Sequence, residues 1–255
     1  MSEIKEKTVP NIPKSNPSDQ TIHMVAGLDI GNGYVKGLVS TNGNAPTSID
    51  FMSGVSLQTY HHDIKTRLSD AEELLNDLFN NMDAVFDSPT IDNTTPRLFG
   101  RRGANSTSVM EEFDVSGLQS KANQDLSSVL ILGCLAGKAL QEYYRKHREL
   151  PTNTLQAHCA ELAVALPISE YKEYRKTYAT KFVNVSHMVS IRNFETTIRV
   201  EVLIDDVQVL AEGASAQYAI VDKGPQFMEG MLADLRAHGE TLPGITGNDI
   251  LGAKS

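Results

Sequence analysis

The stretch MVAGLDIGNGYVKGLVS, residues 24–40, sets an acid and two glycines between two apolar runs. Runs of this kind, at 24–30 and 33–40, are predicted as two short strands joined by a glycine turn. Two readings of the bend compete. In one it is a tight hairpin turn. In the other its backbone is shaped to hold a phosphate. Gly31 and Gly33 lack Cβ atoms, so the chain there is free to take positive φ and to let a ligand approach the N–H groups. Successive amides in such a bend form a concavity for anions. Asn32 adds a short polar side chain, and Lys36 either neutralises charge there or faces solvent. Asp29 would repel a bare phosphate but suits one bridged by Mg²⁺, which binds through one or two carboxylates plus phosphate oxygens and keeps several waters. The pattern is neither GxxxxGK[ST] nor GxGxxG, and neither occurs in the chain.

Past a TNGNAP loop, residues 49–60 are predicted to hold another strand. Ser69 and Glu72 read as a capping box opening a short helix with Leu74, Leu75, Leu78 and Met82 on one face. Strand-like pieces at 84–91 and 97–100 flank a DNTTP turn. The strongest helical spacing covers 125–148, with Pro151 just beyond its end. The apolar run LAVALP then suits a buried strand, and a polar helix is expected after Ser169 as N-cap. Residues 185–191 and 196–204 alternate as a hairpin across RNFE, after which Asp205 and Asp206 are expected to turn the chain into 207–210. AEGASAQYAIVDKG leads toward helix, and a last helix is expected over 226–238. Strands and helices alternate beyond residue 125, which favours an α/β fold with a mixed sheet.

The net charge of −9 argues against a broad nucleic-acid surface, because neutralising phosphates takes clustered Lys and Arg. Only RLFGRR at 97–102 and YYRKHR at 143–148 are locally basic, and the second reads as the solvated end of a helix. Cys134 and Cys159 stand in apolar surroundings without CxxC spacing, as reduced core residues of a cytoplasmic protein do. No apolar run approaches the roughly 18 residues of a membrane span. The first 23 residues carry three prolines and no apolar signal-peptide core; they read as a disordered tail, with folding from near Met24.

The order of these pieces carries a resemblance. GLDIGNGYVKGLV resembles the first phosphate loop of the actin-like ATPases, in particular the plasmid-segregating ParM/StbA type. RLFGRRGAN is similar to the glycine-containing strand before the second half of their first domain. The long helix followed by ELAVALPISEYKEYRK is similar to their strand ending in an LP pair and running on into a Tyr-rich helix. VQVLAEGASAQYAI resembles their strand that ends in an acid and leads into a small-residue helix. The match spans residues 25–220.

The resemblance implies an α/β, ribonuclease H-like actin-fold domain over 24–225, the first of two domains with ATP and Mg²⁺ between them, then a helix and connector over 226–255. It sets Asp29 on the magnesium-associated acid, held largely through water. Gly31, Asn32, Gly33 and Tyr34 fall on the hairpin around the phosphates, and Lys36 on the strand lysine that reaches them. Glu212 falls on the acid associated with the attacking water; by itself it reads equally as an acid at a helix N-terminus. The family's second domain opens with another acidic glycine hairpin, and none occurs here: the chain reaches GNDILGAKS where that strand is expected. The expectation is the first domain alone, with negligible ATPase activity by itself. The complete protein would polymerise into filaments and reach plasmid DNA through an adaptor protein, with no direct nucleic-acid or membrane contact. Two other classes share the superfamily: half of a sugar or acetate kinase, for which no catalytic base follows the first hairpin, and a binding domain that has kept the fold and lost chemistry.

Overall fold

The computed structural model describes residues 20–58, 65–114, 116 and 119–213, with scattered positions between 224 and 246. The tail expected over 1–23 lies outside the described residues as far as 19, but Thr21, Ile22 and His23 are already strand, so order begins ahead of Met24. Three strands come first: β1 (Thr21–Ile30), β2 (Tyr34–Thr41) and β3 (Thr47–Met52). Short pieces follow as β4 (Val55–Leu57), α1 (Ala71–Asn76), α2 (Leu78–Asn81), β5 (Asp83–Asp87), β6 (Arg97–Phe99), α3 (Gly100–Ala104) and β7 (Val109–Glu111). The second half is regular: α4 (Asp125–His147), β8 (Leu155–Leu166), α5 (Ile168–Thr180), β9 (His187–Ile191) and β10 (Ile198–Ala211). The helix expected over 226–238 lies largely outside the described residues; those described at 228–230, 232–233 and 236–237 are helical.

The strands make one mixed sheet, in the order β3-β2-β1-β8-β10-β9-β5-β6-β4-β7. β1, β8 and β10 run parallel at its middle, with β2 antiparallel to β1 and β3 antiparallel to β2. Period-two alternation makes β1 two-faced. Ile22, Met24, Ala26, Leu28 and Ile30 are buried, whereas His23, Val25, Gly27 and Asp29 are exposed on the opposite face. α4 contacts β1, β2, β8, β9 and β10 and is buried along most of its length, from Leu126 to Tyr143. Its end is marked by Arg148 in the left-handed region, whose N–H returns to the Tyr144 carbonyl at 2.8 Å. α5 is largely exposed, but its Tyr178 is buried and hydrogen-bonds Ser127 of α4. No helix among the described residues is long and apolar enough to cross a membrane. Both cysteines are free and buried, and burial pushes the Cys159 thiol up to about 12.

Several boundaries differ from the sequence expectation, each for a local reason. Asp205 and Asp206 do not turn the chain. They lie inside β10 as two successive exposed residues beside exposed Ala160 and Glu161 of β8, where the β1–β8 register slips between Met24 and Val25. A bulge puts two neighbouring polar side chains on one face, which in sequence looks like a turn. Ser69 belongs to a 3-10 turn, and its hydroxyl bonds Asp70 instead of capping a helix. The helix after it is interrupted at Asp77, whose carboxylate takes the side-chain amides of Asn80 and Asn81. α5 begins one residue before Ser169, with Pro167 as N-cap accepting the N–H groups of Glu170 and Tyr171 at 2.9 Å.

His187 on β9 gives the core a pH dependence. It is fully buried, with Nδ1 2.8 Å from Ser88 Oγ and Nε2 3.4 Å from the Phe182 carbonyl. Burial holds its pKa below the ordinary 6.5, and the Phe182 carbonyl offsets part of that. The folded chain therefore keeps this ring neutral where the unfolded chain takes a proton. Its contribution is complete above about pH 6.5 and is lost as pH falls toward the depressed folded value. Thermal melts between about pH 7 and about pH 5 should lose less stability in His187→Gln than in the parent. Parallel pH slopes in the two would remove His187 as the cause.

Candidate functional site

The bend between β1 and β2 is held by three bonds. Gly31 N–H donates to the Tyr34 carbonyl at 2.9 Å, Ser53 Oγ donates to the Gly31 carbonyl at 2.5 Å, and Ser53 N–H donates to the Gly33 carbonyl at 3.1 Å. Ser53 is fully buried, so the bend's carbonyls are drawn inward. Among the described residues the N–H groups of Asn32 and Gly33 have no partner, and both residues are exposed. Positive φ is not what the glycines supply: neither Gly31 nor Gly33 is in that region. A Cβ at Gly31 would stand 2.7 Å from the Tyr34 carbonyl oxygen, so the closed turn itself demands glycine there. At Gly33 a Cβ would meet nothing within 4 Å, so no neighbouring atom explains its bareness.

The facing wall comes from the ends of the neighbouring parallel strands. Leu28 pairs with Val164 and Ala211 with Leu166, so β1, β8 and β10 finish at one edge of the sheet. Such edges are where open α/β sheets place ligands. Glu212 follows directly, its N–H bonded to the Leu166 carbonyl at 2.8 Å, and Gly213 turns away at φ +85°. Between the walls is a cleft of about 310 Å³ lined by Asp29, Gly31, Asn32, Lys121, Ala165, Pro167, Glu212 and Gly213.

Of the residues singled out in the sequence, this cleft joins Asp29, Gly31, Asn32 and Glu212. Gly33, Tyr34 and Lys36 are not in its lining. Tyr34 is 55% exposed, and Lys36 is exposed opposite Asp29 in register. Lys121 was not foreseen. Its side chain is only 7% exposed, with Nζ 3.1 Å from Glu212 Oε1 and 5.3 Å from the centre of the Phe113 ring. The Glu170 carboxylate fixes its backbone, accepting the N–H of Lys121 at 3.1 Å and of Ala122 at 3.3 Å. Ninety-one residues separate Lys121 from Glu212, and only the return of β10 beside β8 brings them together.

The donor set suits a cation that arrives with its ligand. Among the described residues no group of three or more His, Cys, Asp or Glu is placed to hold a metal ion. Asp29 and Glu212 on one cleft, with unpartnered amides beside them, fit Mg²⁺ carried on phosphate oxygens, which needs few protein carboxylates. A larger cavity of about 570 Å³ lies between the β2–β3 loop, α1 and α4. Its acids are already satisfied: Glu142 pairs with Arg145 at 2.7 Å and Glu72 with Arg148 at 2.9 Å.

No family model matches the sequence, and no curated protein matches it. Solved structures do. The actin-like protein Alp7A superposes with a TM-score of 0.51 at 18% identity, over 78% of this chain and 47% of that one. ParM of Bacillus thuringiensis in its apo form superposes with a TM-score of 0.56 at 16% identity, over 78% of this chain and 48% of that one. The chain therefore has the actin-like, ParM-type fold that its sequence resembles, and it spans about half the length of these two proteins.

Proposed function

We propose that this chain supplies one wall of the Mg·ATP site of an actin-like ATPase whose complete form self-associates into filaments that segregate plasmid DNA in the cytoplasm. One observation carries the reading: Asp29, Gly31 and Asn32 of the bend, and Glu212 line one cleft at the ends of parallel strands. In this reading Asp29 holds Mg²⁺ through water, and the amides of Asn32 and Gly33 take phosphate oxygens. Lys36, paired opposite Asp29 on β2, adds positive charge. Glu212 orients the attacking water. Bound Mg·ATP supplies the transferable phosphoryl group and the cation that offsets its charge. Phosphoryl transfer needs charge stabilisation from several sides. The described residues offer one wall, so hydrolysis by this chain alone is expected to be negligible. The charge of −9 suits a protein that reaches DNA through an adaptor.

Calorimetric titration with Mg·ATP tests this. Binding is expected with Mg²⁺, weaker binding in EDTA, and about a tenfold loss of affinity in Asp29→Ala, near 1.4 kcal/mol. Equal heats for the parent and Asp29→Ala, or none for the parent at millimolar nucleotide, would sink the reading.

A further inference from the structure

We propose that Lys121 is a phosphate-sensing latch. It holds Glu212 in an ion pair while the cleft is empty, and it passes to a phosphate oxygen when a polyphosphate enters, releasing the Glu212 carboxylate. The proposal rests on the Mg·ATP reading above and changes which lysine recognises phosphate.

Three features of the site support it. First, the ammonium is committed to the cleft. A buried lysine needs a partner, because leaving water costs the charged form more than packing returns. Lys121 is 7% exposed and lines the cleft, its Nζ stands 5.3 Å from the centre of the Phe113 ring, and Glu170 on α5 accepts its backbone N–H, so the residue is anchored where the cleft is. Second, its hydrogen bonds are incompletely used. An ammonium has three donors, and among the described residues only Glu212 accepts from this one. Third, the two partners are unequally held. Glu212 is 41% exposed and borders solvent, whereas Lys121 is enclosed. An anion entering beside Asn32 therefore meets a fixed cation whose present partner is free to swing outward. Lys36 cannot take this part: it is exposed on β2 and lies outside the cleft lining.

The exchange moves no proton and breaks no covalent bond. One anionic oxygen replaces another on the same ammonium, and the displaced carboxylate becomes an acceptor for water at the position where the proposed hydrolysis requires one. Occupancy of the cleft would thus control the availability of its acid.

The test is titration of the whole chain with Mg·ATP, magnesium tripolyphosphate and AMP, comparing the parent with Lys121→Met and Glu212→Gln. Lys121→Met should weaken Mg·ATP and tripolyphosphate by about tenfold or more while changing AMP by less than about twofold. Glu212→Gln removes the competing negative charge at a half-exposed position while its amide oxygen can still accept from Lys121, and it should tighten tripolyphosphate by roughly two- to fivefold. If the parent fails to bind Mg·ATP, the nucleotide reading falls and the latch with it. If the parent binds and Lys121→Met binds equally, the latch alone is wrong. Should Lys121→Met not fold, Glu212→Gln decides: unchanged or weaker tripolyphosphate binding overturns the latch.

Discussion

Glu111→Ala should destabilise this chain by about 3 kcal/mol, and Arg97→Met by much less, although both remove the same ion pair. Arg97 has no exposed side-chain surface. Its Nε lies 3.3 Å from Glu111 Oε2, and Nη1 donates to the Asn93 and Thr95 carbonyls at 3.3 and 3.1 Å. Nη2 is buried without a partner among the described residues. Deleting the carboxylate strands a guanidinium that cannot lose its proton. Replacing the arginine with a methionine, which keeps an apolar stem, removes the charge and its demand for partners together. Breaking a buried pair from one side costs about 3–5 kcal/mol. The low end applies because Glu111 is 25% exposed and water can partly replace it. Urea midpoints at unchanged m-values measure both variants. The reverse order of stability would mean that the guanidinium is held mainly by its two carbonyls.

The same arginine shows what the basic run RLFGRR is for. Arg97 pairs with Glu111, Arg101 with Asp77, and Arg102 lies 3.7 Å from Asp83. These three cations tie β6 and α3 to acids on β7, between α1 and α2, and on β5, in place of forming a surface for nucleic acid.

Legibility in the sequence followed the length over which a pattern persists. α4 was readable because its helical spacing is sustained over twenty-three residues. The β1–β2 hairpin was readable because two alternating runs flank a glycine bend. The far half of the sheet was readable only in part: β6 falls on the strand expected at 97–100 and β5 overlaps that at 84–91, but the single strand expected over 49–60 is split into β3 and β4, and β7, three residues long and too short for a period, was missed. Asp205 and Asp206 misled because a bulge and a turn both expose consecutive polar residues. At the site, Asp29 and the bend announced themselves locally, whereas Lys121 carries no local mark. Its role comes from burial against Phe113 and from Glu212 arriving beside it, and neither exists until the chain has folded.

The two glycines of the bend should part company on substitution, and that separates a turn from a phosphate cradle. Gly31→Ala puts a methyl 2.7 Å from the Tyr34 carbonyl oxygen, the atom that accepts the Gly31 N–H. Both cannot be accommodated, so the end of the hairpin must open, at a cost on the order of 1–3 kcal/mol. The Asn32 and Gly33 amides then lose their alignment, and Mg·ATP affinity should fall at least tenfold, about 1.4 kcal/mol. Gly33→Ala meets no atom within 4 Å and needs no positive φ. It should leave the fold intact and raise stability by about 0.4–1 kcal/mol, because alanine restricts the unfolded chain. A bare turn predicts nothing further for Gly33. A cradle predicts that the added methyl occupies the approach to the amides, so Gly33→Ala should gain stability and lose Mg·ATP affinity together. Stability gained with affinity unchanged would return the bend to an ordinary hairpin and leave Asp29 without a phosphate to serve.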